Sequence, residues 1–218
     1  MQTALNIIML MAACFIFVVS GVNPIMARAE ESAALDARVR KFLDRHQEQW
    51  HDFNVPAVDG KLLYDLIVTH RFQRALEIGT STGRSAIWIA WALSKTGGRL
   101  ITVEIDETRY RQALSNFEEA GVSAYIDARL ADAHELIHKL DGPFDFVFSD
   151  ADKEGYKDYF MAIAPKLTQG GCFTAHNVLM SWTGIPEFLE YVKGRADFET
   201  TVDESSSAGV SISCKKRD

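Results

Sequence analysis

The chain has 218 residues, of which 47% are hydrophobic and 24% are charged, a balance typical of one globular domain with an ample core. Its formal net charge is −7, and Lys and Arg cluster only at residues 215–217. An acidic surface gives a nucleic acid little electrostatic attraction, so we expect no nucleic-acid partner.

The first 29 residues have the character of a leader. Residues 7–19 are almost all apolar, and Ala27-Arg28-Ala29 offers a small-x-small cleavage site, which is typical of a secretory signal peptide. However, no Lys or Arg precedes the apolar run, and the run is shorter than the roughly 20 residues of a membrane span. A retained membrane anchor and a start codon assigned too early therefore stay open. We expect an exported (periplasmic) or membrane-anchored protein with a single domain over residues 30–218.

After the leader, the hydrophobic pattern changes regularly between helix and strand periodicity. It predicts two N-terminal helices and then strands that alternate with helices, which implies an α/β fold with a mostly parallel sheet and helices on both faces. The last two of the seven strands are expected to form an antiparallel hairpin. The predicted helices are 30–49, 61–70, 85–94, 108–120, a segment through Leu140, 155–167 and 185–194, and the strands are 74–78, 100–105, 128–131, 144–149, 172–175, 198–202 and 210–214.

Two cysteines follow the leader, Cys172 and Cys214, and both fall in predicted strands. Two cysteines do not make a disulfide framework, so they do not indicate the cellular compartment. We interpret them as two small buried residues rather than as a disulfide bridge or a reactive thiol.

A glycine turn joins the first predicted strand to the helix that follows it. The strand ends at Ile78, the turn runs from Gly79 to Gly83, and apolar helix residues follow from Ile87. Glycines allow the backbone to approach a ligand closely, and the start of the helix presents unpaired N–H groups. The next strand ends near Glu104, about where an acidic residue binds ribose hydroxyls in dinucleotide folds. The glycine spacing differs from the dinucleotide motif and resembles an S-adenosylmethionine cradle instead.

Polar residues also follow the other strands of the predicted parallel sheet. Because ligands collect at the carboxyl ends of parallel strands, we predict a ligand site at this edge. Each residue alone has a structural explanation as well; Asp132, for example, suits the N-cap of the helix that follows it. The strand-end residues are Glu77, Gly79, Glu104, Asp132, Asp150, His176 and Asn177.

On these residues the chain resembles the small class I O-methyltransferases of the catechol and caffeoyl-CoA type, most strongly in Ala75–Ser85, Ile101–Asp106, Phe144–Tyr156 and Gly170–Val178. The resemblance implies a Rossmann-like fold, S-adenosylmethionine as cofactor and a small, catechol-like hydroxyl compound as acceptor, and it leaves a homodimer open. It also implies that the cofactor is bound by Val55, Glu77, Gly79, Ser81, Gly83, Ser85, Glu104, Asp132, Ala133 and Asp150.

The same resemblance assigns the chemistry to two later segments. Asp150-Ala151-Asp152-Lys153 matches the family's Asp-x-x-Lys signature, which implies that Asp150 binds a divalent cation and that Lys153 helps to remove the proton from the attacking hydroxyl. Two further metal ligands, Asp-Asn in the family, correspond here to His176 and Asn177. Met180 and Trp182 follow on a loop that suits either the wall of an acceptor pocket or ordinary packing.

The replacement of a carboxylate by His176 puts the metal in question. Magnesium prefers oxygen ligands, whereas an imidazole suits manganese or zinc better. We therefore expect metal dependence (Mg, Mn or Zn) through Asp150, His176 and Asn177, shifted away from magnesium. A role of His176 as a catalytic base, loss of the metal, and an ordinary strand-end histidine stay open.

Other functional classes fit part of the pattern. Gly79–Gly83 also matches the Gly-x-Ser-x-Gly nucleophile elbow, and Ser81, Asp150 and His176 occur in the chain order of a hydrolase triad. That reading leaves Glu104 and Lys153 without a role. A protein that binds S-adenosylmethionine without catalysis is a second alternative, and a tRNA-modifying relative is disfavoured by the acidic charge.

Overall fold

The computed structural model of the protein describes residues 24–50 and 53–217. The apolar run at residues 7–19 lies outside them, and the predicted cleavage site at residues 27–29 lies near the start of the first helix. Within the described part of the chain, no helix combines the length and the hydrophobicity that a membrane span needs.

Seven α-helices and seven strands are found among these residues. The helices are α1 (Pro24–Arg45), α2 (Ala57–His70), α3 (Arg84–Thr96), α4 (Glu107–Ala120), α5 (Ala133–Lys139), α6 (Tyr156–Ile163) and α7 (Ile185–Lys193). The strands are β1 (Arg74–Ile78), β2 (Arg99–Glu104), β3 (Ile126–Leu130), β4 (Phe144–Ser149), β5 (Leu167–His176), β6 (Phe198–Asp203) and β7 (Val210–Lys215).

The strands form one sheet in the order β3-β2-β1-β4-β5-β7-β6. Strands β1 to β5 pair in parallel, whereas β7 runs antiparallel to both β5 and β6. The predicted α/β fold with a closing hairpin is therefore confirmed. Because the chain leaves β1 in one direction along the sheet and returns at β4 in the other, the carboxyl ends of these two strands border a crevice.

Helices cover both faces of the sheet and bury two apolar layers. Phe42 of α1, Ile67 of α2 and Phe117 of α4 lie in one layer, together with the apolar face of α3. Phe160 of α6 and Phe188 of α7 lie in the other. Close packing on both faces fixes the strands, and so the residues at their carboxyl ends, relative to one another.

Several predicted boundaries were wrong. The helix expected over residues 155–167 is a 3-10 turn at Lys153–Gly155, then α6, then a second 3-10 turn at Ala164–Lys166. Pro165 lies in that second turn, where its missing N–H group cannot continue an α-helix. Strand β5 begins at Leu167 rather than Cys172, so the pair Gly170-Gly171 lies inside the strand.

The two cysteines form a disulfide bridge, which corrects the prediction of two unlinked thiols. Cys172 of β5 and Cys214 of β7 are directly opposite in the antiparallel register, with their Cα atoms 4.0 Å apart. Sequence patterns give the strands but not this register, and the pairing depends on the register. The bridge joins the C-terminal hairpin to the strand that carries His176.

Reduction of this bridge should lower the free energy of unfolding. A disulfide limits the conformational freedom of the unfolded chain, so we expect a loss of about 2–4 kcal/mol in urea denaturation of the protein with a reductant. The Cys172→Ala/Cys214→Ala variant should match the reduced protein and should not respond to the reductant. Equal stability of the oxidised and reduced proteins would contradict the prediction.

Candidate active site

A cavity of about 920 Å³ opens at the carboxyl ends of the parallel strands. Four of the residues predicted to bind the cofactor are buried nearby without lining it: Val55, Glu77, Gly83 and Ser85. The structure brings the other predicted residues together in the cavity wall: Gly79, Ser81, Glu104, Asp132, Ala133, Asp150, Lys153, His176 and Asn177.

The turn after β1 brings its backbone against the neighbouring strand end. Gly79 has φ +95°, and a Cβ atom there would lie 2.8 Å from the carbonyl oxygen of Asp150. Only glycine can adopt this positive φ and lie this close to the Asp150 carbonyl without strain. Both Gly79 and Thr80 donate their N–H groups to the carbonyl of Val103, at 3.1 Å each. The turn is thereby fixed between β2 and β4, at the floor of the cavity.

Glu104, at the end of β2, is oriented by three backbone N–H groups. One carboxylate oxygen accepts from Ser81 at 2.7 Å, and the other accepts from Ile105 at 3.1 Å and Asp106 at 2.9 Å. Ser81 has φ +49°, a conformation that costs a non-glycine residue energy and that clusters at functional sites. The carboxylate thus lines the cavity in one fixed orientation.

A second polar cluster lies at the cavity wall near α5. Asp132 caps α5 by accepting from the N–H group of His134 at 2.8 Å, as its helix-capping interpretation predicts, and it also lines the cavity. Tyr159 donates to Asp152 at 2.5 Å and lies 2.9 Å from Nε2 of His134. The sequence patterns did not indicate His134 and Tyr159, because neither lies at a strand end.

Asp150 and Lys153 form an ion pair across the turn after β4. Nζ of Lys153 donates to Oδ1 of Asp150 at 2.6 Å and to the Tyr156 hydroxyl at 2.8 Å. Tyr156 in turn donates to the carbonyl oxygen of His176 at 3.2 Å. The exposed fractions of the Lys153 and Asp150 side chains are 13% and 10%, so both face the cavity from a largely buried position.

His176, at the end of β5, lies between two carboxylates. Its Nδ1 is 3.2 Å from Oδ2 of Asp150, and its Nε2 is 2.8 Å from Oδ2 of Asp59. We call these three residues the histidine bridge. Burial lowers the pKa of His176, but its hydrogen bonds to the Asp150 and Asp59 carboxylates outweigh this and raise the pKa to about 9. Only 3% of His176 is exposed.

Asp59 is a site residue that the sequence patterns did not indicate. It lies in α2, 117 positions before His176, and only 1% of it is exposed. Asp59, Leu63 and Ile67 follow one another at four-residue intervals on the buried face of α2. In the sequence, Asp59 could have been found as an acidic residue in line with apolar ones. Such a position indicates a buried carboxylate, and a buried charge needs a partner.

The described donors do not fit the divalent metal that the resemblance implies. Both oxygens of Asp150 and both ring nitrogens of His176 have partners within the ion-pair network. Across residues 24–50 and 53–217, no three or more His, Cys, Asp or Glu side chains are grouped so as to hold a metal ion. The metal prediction therefore has no support from the donor geometry.

The hydrolase alternative is disfavoured by the same contacts. A triad requires one ring nitrogen of His176 to accept the proton of Ser81, with a carboxylate on the other nitrogen. Here carboxylates face both nitrogens. His176 is thus occupied as a bridge between two acidic side chains rather than arranged as a general base.

Below the cavity floor, Glu77 of β1 is fully buried. Burial raises its pKa to about 8, although hydrogen bonds from Ser85 and Thr102 favour the charged form. Asp150 and Glu104 add repulsion in the same direction as burial. The neutral acid is therefore the form that the fold favours near neutral pH.

Comparison with known proteins gives consistent matches. Residues 27–190 match the model of a protein family described as O-methyltransferase. A catechol O-methyltransferase of Niastella koreensis is 37% identical over 124 residues, which cover 55% of this chain and 56% of that protein. Caffeoyl-CoA O-methyltransferase 1 of Zea mays is 30% identical over 171 residues, which cover 73% of this chain and 65% of that protein. The chain thus matches less than two thirds of the length of either relative.

Among solved structures, an O-methyltransferase from Bacillus cereus in complex with SAH is similar to this chain. The two superpose with a TM-score of 0.73 at 26% sequence identity, and the match covers 83% of this chain and 91% of the Bacillus protein. The likeness therefore extends over nearly the whole of the domain that carries the cavity.

Replacement of Glu77 by Gln should change how stability depends on pH. The pKa of Glu77 is about 8 in the folded protein and lower in the unfolded chain, so the folded state binds an extra proton between these two values. The contribution of Glu77 to the free energy of unfolding therefore falls as the pH rises toward 8. We expect Glu77→Gln to gain about 1.4 kcal/mol relative to wild type for each pH unit between pH 5 and 7.

Urea unfolding at pH 5, 6, 7 and 8 measures this difference. The exposed carboxylate of Glu199 provides the matched control, because Glu199→Gln should keep a constant offset from wild type. A constant offset for Glu77→Gln as well would show that Glu77 is ionised throughout this range.

Proposed function

The chain belongs to the O-methyltransferase family, and we propose that it transfers a methyl group from S-adenosylmethionine to a hydroxyl of a small, catechol-like aromatic acceptor. The observation that carries this proposal is that one cavity contains both the oriented carboxylate of Glu104 and the Asp150–Lys153 pair. Glu104 suits the ribose of the cofactor, and the Asp150–Lys153 pair suits the hydroxyl that is methylated.

In this proposal the cofactor lies along the ends of β1, β2 and β3. The Gly79 turn admits the methionine portion close to the backbone, and Glu104 accepts hydrogen bonds from the ribose hydroxyls. Asp132, Ala133 and the neighbouring His134 lie where the adenine would extend. Support comes from the fixed geometry of Glu104, because a carboxylate already oriented by three N–H groups loses little freedom on binding.

The acceptor hydroxyl would approach Lys153 and Asp150. Its oxygen attacks the methyl carbon in line with the carbon–sulfur bond, the bond to sulfur breaks, and S-adenosylhomocysteine leaves. The ammonium of Lys153 first loses a proton to solvent, and the neutral amine then takes the hydroxyl proton as the oxygen–carbon bond forms. Met180 and Trp182 line the same cavity and are about half exposed, so they can contact the face of an aromatic acceptor.

We also propose that the protein works outside the cytoplasm. Disulfides persist mainly in oxidising compartments, and the bridge between Cys172 and Cys214 supports the export that the leader predicts. Alkylation of free thiols in fractionated source cells tests this: we expect the native protein in the extracytoplasmic fraction, with both cysteines blocked until a reductant is added. Reduced protein in the cytosol would contradict it. Homodimer formation and membrane association stay predictions.

Two substitutions should separate cofactor binding from chemistry. We expect Lys153→Met to lower kcat for methylation of a catechol by about 10²–10⁴-fold and to leave the Kd for S-adenosylmethionine unchanged. We expect Glu104→Gln to weaken S-adenosylmethionine binding by roughly 10–100-fold, because it removes a charged hydrogen-bond acceptor. Calorimetry measures the affinity, and mass spectrometry of the methylated acceptor measures the rate.

Lys157→Met is the matched control, because Lys157 lies on α6 and pairs with Glu187 outside the cavity. It should keep wild-type affinity and rate. Binding of S-adenosylmethionine without turnover of any hydroxyl acceptor would favour the alternative of a binding protein that lacks catalysis. Turnover of a simple ester that is lost in Ser81→Ala would favour the hydrolase.

A further inference from the structure

The histidine bridge joins three segments that are far apart in sequence. Asp59 comes from α2, His176 from the end of β5, and Asp150 from the end of β4. The Ser206 hydroxyl, in the loop between β6 and β7, donates to Oδ2 of Asp59 at 2.8 Å. Ser206 Oγ also accepts from the N–H groups of Ala208 and Gly209, at 3.2 Å each. The bridge is therefore held by α2, near the N-terminal end of the domain sequence, and by the loop between β6 and β7, near its C-terminal end.

Each carboxylate of this network contacts a nitrogen of a basic side chain. Asp59 and Asp150 are the two acidic groups, and Lys153 and His176 are the two basic groups that contact them. With a carboxylate in place of His176, the same network would have three acidic groups against one lysine, an excess that a divalent cation neutralises. The imidazole takes the place of one acid and faces the other two, so the network has less of the negative charge that attracts a cation.

The hydrogen bonds also direct the ring nitrogens of His176 and the oxygens of Asp150 at their neighbours in the network rather than at a common point. A metal ligand needs a lone pair aimed at the ion, but each nitrogen of His176 faces a carboxylate and Oδ1 of Asp150 faces the ammonium of Lys153. Insertion of a cation would require at least the Lys153 and His176 contacts of Asp150 to break. These contacts are largely buried, where the loss of a charged partner is costly.

We propose that the histidine bridge occupies the position of the family's metal ion, and that this protein binds no divalent cation there and methylates its acceptor without one. Asp59 and His176 then act as positioning residues, which hold Asp150 and thereby Lys153 toward the acceptor hydroxyl. The part of this inference that concerns turnover rests on the proposed function; the part that concerns metal binding does not.

Manganese titration of the full chain tests the binding part without any need for activity. With S-adenosylhomocysteine present, we expect wild type to show no stoichiometric Mn²⁺ binding by calorimetry and no rise in Tm with Mn²⁺. His176→Asp places three carboxylates around one lysine, so we expect it to bind Mn²⁺ and to gain Tm when the ion is added. His138→Asp, an exposed histidine of α5, is the control and should gain neither.

The proposal is overturned if wild type binds one Mn²⁺ that is lost in His176→Ala. It is also overturned if His176→Asp remains folded, as judged by S-adenosylhomocysteine binding, but acquires no Mn²⁺ site. If His176→Asp misfolds, the wild-type titration alone decides whether the site binds Mn²⁺.

Turnover supplies the second readout. After treatment with a chelator, wild type should keep its rate of catechol methylation within about twofold, and added Mn²⁺ should not raise it. We expect Asp59→Asn to lower kcat about tenfold at unchanged KM for S-adenosylmethionine, a split that a general loss of structure would not produce. Asp65→Asn, an exposed residue of the same helix, is its control.

Loss of activity in the chelator with recovery on Mn²⁺ would overturn the proposal. Absence of turnover in every condition would instead count against the proposed function, and the manganese titration would still decide whether the histidine bridge excludes the metal.

Discussion

Asp150 is held from two sides, by the ammonium of Lys153 and by the ring of His176, and the arrangement of the cavity depends on these contacts. Its backbone is fixed as well, because its N–H group donates to the carbonyl of Ile78 at 2.8 Å and its own carbonyl packs against Gly79. One residue therefore links the Gly79 turn after β1, where the proposed cofactor would lie, to the ion pair with Lys153, where the proposed acceptor would lie. A displacement of Asp150 would alter both halves of the cavity together.

The C-terminal hairpin supports this residue from a distance. The disulfide ties β7 to β5, and the loop of the hairpin carries Ser206, which contacts Asp59. Asp59 contacts His176, and His176 contacts Asp150. The hairpin is thus part of the site as well as the edge of the sheet, although none of its own strand residues lines the cavity.

The sequence was sufficient for those features that follow from local periodicity and from strand order. Alternating strands and helices imply a parallel sheet, and a parallel sheet places Glu104, Asp150 and His176 at one edge because its strands end on the same side. The features that were missed depend on contacts between distant segments. The register of β5 with β7 decides the cysteine pairing, and the packing of α2 across the strand ends decides that Asp59 reaches His176.

The same distinction explains why the role of His176 could not be read from its position alone. A histidine next to an asparagine at a strand end suits a metal ligand, a base or a structural residue equally well. Its partners separate these roles, and one of them comes from a helix 117 positions earlier in the chain. The predicted start of β5 was wrong for a related reason. Leu167 belongs to this strand because it pairs with β4, and the local hydrophobic pattern does not show this.

We infer that a bridge between two carboxylates, rather than a metal ion, holds Asp150 at the end of the cavity where the proposed acceptor would lie. A crystal structure of the protein with S-adenosylhomocysteine, grown in excess manganese chloride and measured at the manganese absorption edge, tests this most directly. We expect both ring nitrogens of His176 to be in hydrogen-bond contact with Asp59 and Asp150, and no anomalous peak to appear between Asp150, His176 and Asn177. An anomalous peak at coordination distance from these three residues, with His176 turned away from Asp59, would contradict it.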